Sequence, residues 1–125
     1  MGEIRDYSCS CGYQKRIFAG AGLNGCNLNA IKHFFPQEAV SFEQERQAGR
    51  VQSYLLSNTV VTCSHCKKIE SVPFFTYQTE SEMHAFYKKE CLECSGTVIR
   101  IEDEESVPCP ECGLQMIYSK NGSWD

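Results

Sequence analysis

The chain has 125 residues, room for one small domain or two very small ones with a modest core. Hydrophobic residues make up 42% and charged residues 22%, a balance that excludes a disordered chain. The net charge of −4 weighs against a dedicated nucleic-acid binder, and no apolar run approaches the roughly 20 residues of a bilayer span.

Residues 1–6 carry charge and no apolar signal core, and Asp6 stands where a myristoylation pattern needs Ser or Thr. The expectation is a cytoplasmic, reducing setting with no membrane attachment. There, nine cysteines point to metal or redox chemistry rather than disulfides.

The first cysteine pair, Cys9-Ser10-Cys11, precedes a predicted strand over 12–18. Next comes Gly20-Ala21-Gly22-Leu23-Asn24-Gly25, which formally matches G-x-G-x-x-G. A phosphate-binding reading needs a βαβ unit and a suitably placed acidic residue. Here no parallel strand follows, so a close-fitting glycine turn is the simpler reading.

A short helical insertion is predicted over residues 24–50. Asn24 and Asn27 are candidate N-caps, Pro36 starts a second helix, and Gly49 is a C′ stop. Leu28, Ile31, Phe34 and Phe35 recur three and four residues apart and give one apolar face. Residues 50–56 read either way, and Thr59-Val60-Val61-Thr62 reads as a strand.

That strand enters Cys63-Ser64-His65-Cys66, and a strand over 67–72 follows. Met83-His84-Ala85-Phe86-Tyr87 reads as another strand. Cys91-Leu92-Glu93-Cys94 precedes a strand over 97–101, and Cys109-Pro110-Glu111-Cys112 precedes one over 114–118. Between these last pairs, Glu102-Asp103-Glu104-Glu105 reads as a solvated turn. Knuckle then strand thus occurs four times. Residues 1–62 hold six basic and five acidic side chains, whereas 63–125 hold six and eleven.

A Cys-x-x-Cys turn aims both sulfurs at one centre, and Zn²⁺ takes four such ligands tetrahedrally at about 2.3 Å. Four knuckles therefore close two sites: Cys9, Cys11, Cys63, Cys66, Cys91, Cys94, Cys109 and Cys112 are the predicted ligands of two Zn²⁺ ions. Iron also suits four thiolates, but nothing in the chain selects it. Gly12, Gly96 and Gly113 are expected to serve the turns behind the knuckles.

Ribbon loop spacing favours consecutive pairing: Cys91/Cys94 with Cys109/Cys112 across 14 residues, and Cys9/Cys11 with Cys63/Cys66 across 51. The main rival is a nested order, joining Cys63/Cys66 to Cys91/Cys94 across 24 residues. An interleaved, RING-like order would thread the long insertion through both sites.

In these knuckles and their following strands the chain resembles the zinc-ribbon family and its rubredoxin-like relatives. The match is closest from Cys91 to Tyr118, and Cys9-Ser10-Cys11 departs from it by one missing residue. The layout is also similar to small uncharacterised bacterial zinc-ribbon proteins. The resemblance implies three-stranded β-ribbons around structural zinc. The expected fold is a small α+β protein of two four-cysteine zinc-ribbon subdomains. One spans 1–80, with knuckles 9/11 and 63/66 and the helical insertion; the other spans 81–125, with knuckles 91/94 and 109/112.

Catalysis is disfavoured, because a catalytic zinc keeps an open position and both sites are filled by thiolates. Cys26, the odd cysteine, reads as a small buried thiol, with a nucleophilic role near a helix start as the alternative. His65 is expected to point away from its knuckle, and His84 to be an exposed strand residue. Lys67, Lys68, Lys88 and Lys89, with Phe74, Phe75, Tyr77 and Tyr87, would suit single-stranded nucleic acid. A small sheet needs those aromatics for its core instead. The leading expectation is a non-catalytic zinc-binding module for a protein partner. A nucleic-acid-binding ribbon is the alternative, and an enzyme or nucleotide binder using Cys26 or the glycine loop comes third.

Overall fold

The computed structural model describes residues 2–21, 26–91, 93–103 and 106–124. Gly22 to Gly25, with the Asn24 cap, and Glu104-Glu105 of the acidic run lie outside the described residues. In chain order the elements are β1 (Gly2–Ser8), β2 (Gln14–Ala19), α1 (Leu28–Phe34), α2 (Pro36–Gln47), β3 (Val51–Cys63), β4 (Ile69–Thr79), β5 (Met83–Tyr87), β6 (Val98–Arg100) and β7 (Ile117–Trp124). They make a small α+β fold of two antiparallel sheets, ordered β2-β1-β7 and β5-β4-β3-β6.

Local chemistry accounts for the helices. The Asn27 side chain accepts from the Asn29 and Ala30 amides at 2.9 and 3.2 Å, capping α1. Phe35 closes α1 and opens α2, and Pro36 takes a first-turn position that needs no amide donor. Gly49 follows the Ala48 cap with φ +76°, the left-handed stop that glycine accepts without strain. Of the predicted apolar face, Ile31 and Phe35 are buried, Leu28 is half-buried and Phe34 stays exposed.

Side-chain alternation divides the four-stranded sheet into two faces. Leu56, Val60, Ile69, Phe75 and Tyr77 share one face. Phe75, fully buried, meets Phe42, Phe35 and Tyr77 with ring centroids 5.0, 6.0 and 5.6 Å away, so both helices dock there. Farther along this face, Val60 and Ile69 pack with Tyr7, Ile17, Val107 and Met116, joining the sheets. Val61, Val72 and Val98 form a separate cluster on the opposite face with Cys63 and Cys91.

The sheets do not follow a division into 1–80 and 81–125. β1 pairs with β7, aligning Ser8 with Ile117 and Gly2 with Trp124, so the first and last strands lie side by side. Trp124 covers Gly2 and donates its indole N–H to the Ala19 carbonyl at 3.0 Å. The four-stranded sheet instead draws all its strands from 51–100. Gly20 and Asn58 exchange backbone hydrogen bonds of 3.0 and 2.8 Å and stitch β2 to β3.

Each knuckle is followed by a strand, as the repeat predicts: β2, β4, β6 and β7. β7 starts at Ile117 rather than 114, because the Leu114 carbonyl accepts from the Cys109 amide and the Met116 amide donates to the Val107 carbonyl. The ambiguous residues 50–56 belong largely to β3. There the partner strand β4, rather than local pattern, decides the conformation.

Candidate metal centres

Each cysteine turn is built from the same backbone circuit. The first cysteine's amide donates past the second: Cys63 to Lys68, Cys91 to Gly96 and Cys109 to Leu114, at 3.0, 2.7 and 2.7 Å. Its carbonyl accepts from the residue just after the second cysteine: Lys67, Ser95 and Gly113, at 3.1, 3.1 and 2.9 Å. Cys9-Ser10-Cys11 makes this circuit one residue shorter, through Tyr13 at 2.9 Å and Gly12 at 3.0 Å. The departure in spacing therefore preserves the turn.

The residue after the second cysteine is left-handed in all four turns. Gly12 and Gly113 have φ of +101° and +80°, and Lys67 and Ser95 have +66° and +60°. Gly96, expected to supply that geometry in the third turn, does something else. A Cβ there would lie 3.0 Å from the His65 Cβ and 3.2 and 3.3 Å from the Cys94 and Cys63 sulfurs. Glycine is needed because the backbone passes against the cluster. The sequence signal was only its position two residues past a knuckle.

The eight paired cysteines converge into two groups. Cys9, Cys11, Cys109 and Cys112 form an outer cluster, and Cys63, Cys66, Cys91 and Cys94 an inner one, with the sulfurs of each group within 4.8 Å of one another. This is the nested order, and it corrects the consecutive pairing. The β1–β7 register places Cys9, one residue past Ser8, beside the knuckle that precedes Ile117. Closing so long a loop costs only logarithmically more than closing a short one, so spacing was a weak guide.

A tetrahedral S₄ site with metal–sulfur bonds of about 2.3 Å has edges of about 3.8 Å. Cys9–Cys112 and Cys11–Cys109 sulfurs are 3.3 and 3.6 Å apart, and Cys63–Cys94 and Cys66–Cys91 are 3.4 and 3.8 Å apart. These separations exceed a disulfide bond and suit four donors around one cation. Both groups can hold a metal ion.

The electrostatics agree. Amides of Cys66 and His65, each 3.4 Å from the Cys63 sulfur, hold that thiol down at about 6 against burial. The Cys11 amide and the Cys112 thiol hold Cys9 at about 7. The Gly96 amide favours the Cys94 thiolate, but Cys63, burial and the remaining thiols push it up to about 12. Cys112 also stands at about 12, its Leu114 amide outweighed by Cys9, burial and its other neighbours. Four sulfurs this close ionise together only when a cation offsets their charge.

The surroundings differ. Cys63 and Cys91 are buried at the inner cluster, and Lys68 pairs with Glu93 across its two knuckles. At the outer cluster only Cys109 is buried, while Cys11 and Cys112 are exposed.

The other candidates lie elsewhere. His65 is exposed and contributes its amide, not its ring, to the inner cluster. His84 is half-buried and stacks on Tyr77 at 4.5 Å. Cys26 is exposed rather than buried, its thiol 4.0 Å from the Tyr54 carbonyl, because it precedes α1, whose packing on the core begins with the half-buried Leu28. Phe75 and Tyr77 belong to the core. Lys67 donates to the Ser64 carbonyl, and Lys88 and Lys89 lie over the Phe35 and Tyr87 rings at 5.3 and 5.7 Å.

The class defined by fold and site is a small α+β protein with two four-cysteine clusters able to hold metal. No helix among the described residues is long and apolar enough to cross a membrane. No family model, curated protein or solved structure matches the chain.

Proposed function

We propose that this chain is a non-catalytic zinc protein, with two closed four-thiolate centres that frame a surface for a protein partner. The convergence of all eight paired cysteines into two four-sulfur groups carries the reading. A site with four protein thiolates leaves no position for a substrate or an activated water, which argues for structure rather than hydrolysis. The knuckle circuits and the strands behind them support a zinc-ribbon assignment for both centres. Zinc is preferred to iron because it is the common occupant of structural four-cysteine sites.

The partner surface proposed lies beside the outer centre. Leu114 and Ile117 flank the final knuckle and β7, exposed to 60% and 76%. Exposed apolar groups in one region are a feature of interaction surfaces. Metal content by elemental analysis should give two zinc per chain. Wild-type protein should retain a partner from native lysate that a Leu114→Ser, Ile117→Ser double variant loses at unchanged zinc content. Fewer than two metals refutes the centres, and equal capture by both proteins refutes the surface.

A further inference from the structure

We propose that the outer centre is an oxidant-reactive site, opened by peroxide while the inner centre keeps its metal. The proposal rests on reading both clusters as metal centres and adds a division of labour between them.

Access is the first argument. Cys11 and Cys112 are exposed and Cys9 half-buried. At the inner cluster Cys63 and Cys91 are buried over Val61, Val72 and Val98. Gly96 and His65 press on that cluster from another side, and the Lys68–Glu93 pair spans its knuckles. In a loaded centre all four sulfurs are thiolates, so exposure sets the order of oxidation and the outer sulfurs react first.

Geometry supplies the second partner for each oxidation. The Cys112 thiolate attacks one peroxide oxygen; the O–O bond breaks, hydroxide leaves and Cys112 becomes a sulfenic acid. The Cys9 thiolate, 3.3 Å away, attacks that sulfur, forming an S–S bond and expelling a second hydroxide. The two sulfurs have given two electrons, and each hydroxide takes a proton to become water. Loss of two thiolates leaves the outer centre half its donors, which frees the ion. A second peroxide oxidises Cys11 and Cys109, 3.6 Å apart, in the same way.

The test uses a Cys26→Ser variant of the full chain, which removes the exposed ninth thiol from the count. Loaded with two zinc per chain, it is titrated with hydrogen peroxide. Released zinc is followed with a chromogenic chelator, and remaining thiols are mapped by alkylation and mass spectrometry. The expected result is loss of one zinc per chain with Cys9, Cys11, Cys109 and Cys112 oxidised. The inner four cysteines stay reduced, and a thiol reductant with added zinc restores the second equivalent. Release of both ions in one phase, or oxidation of the inner group first, overturns the proposal while leaving the metal reading intact. Failure to load zinc after full reduction overturns both, and is recognised before any peroxide is added.

Discussion

At Gly96 and Gly113 the same amino acid answers two different demands. A Cβ at Gly113 would meet nothing within 4 Å, so its requirement is the backbone, at φ +80°. Gly113→Ala should cost about 1 kcal/mol of left-handed strain and leave both metal sites filled. Gly96 is not left-handed, and its constraint is the pair of sulfurs at 3.2 and 3.3 Å. Gly96→Ala must displace ligands, so it should weaken zinc binding at the inner centre. Competition with a chelator distinguishes the two variants. Equal zinc retention in both would show that the inner cluster has slack the distances do not reveal. Residue types also show the limits of pattern reading. The eight cysteines that converge into the two groups were legible because each pair lies close in sequence. The left-handed Lys67 and Ser95 were not legible, since neither residue favours that conformation on its own.

β1 shows how an element can escape notice. Glu3, Arg5 and Asp6 give it the look of a charged tail, yet it is the central strand of its sheet. Arg5 pairs with Glu3 along the strand at 2.9 Å, Lys120 on β7 reaches Glu3 at 3.1 Å, and Asp6 is met across strands. Arg16, directly opposite Asp6, donates to both carboxylate oxygens at 2.8 and 3.1 Å, and Asn121 on β7 donates as well. These contacts, Arg16 foremost, hold Asp6 down at about 2 from an ordinary 3.8. The sign follows from the depressed value. The pair stabilises the hairpin fully above pH 3.8, and that contribution disappears as the pH falls through about 2. The carboxylate is exposed, so solvent screens the gain. An NMR titration should place the Asp6 midpoint near 2 in the wild type. In Arg16→Ala it should move back toward 3.8, with the inner centre unaffected. An unmoved midpoint would assign the shift to Asn121 instead. The helices, by contrast, were readable in advance, because Asn27, Pro36 and Gly49 act within a turn of where they stand.

Taken whole, the molecule has an apolar cluster for each centre and a third for the helices. Cys109 belongs to the cluster joining the sheets, and Cys63 and Cys91 to the one behind β3. The helices rest on a third, around Phe35, Phe42 and Phe75, that contains no ligand. Topology at this scale was not legible in the sequence, because β1–β7 pairing depends on contacts more than a hundred residues apart. It decides what metal removal does. A structural zinc contributes about 10–16 kcal/mol of apparent binding free energy, against a total stability of about 5–15 kcal/mol for a domain. Without cations, four close sulfurs in each group lose the charge balance that keeps them together. A strong chelator at neutral pH should therefore strip two ions and remove most of the sheet signal in circular dichroism. Amides of β1, β2 and β7 should exchange freely with solvent. Residual protection, if any survives, should be confined to α1, α2 and the parts of β3 and β4 around Leu56 and Phe75, whose packing uses no cysteine. A chelated protein with both ions gone and its spectrum unchanged would mean that the three clusters alone hold the fold.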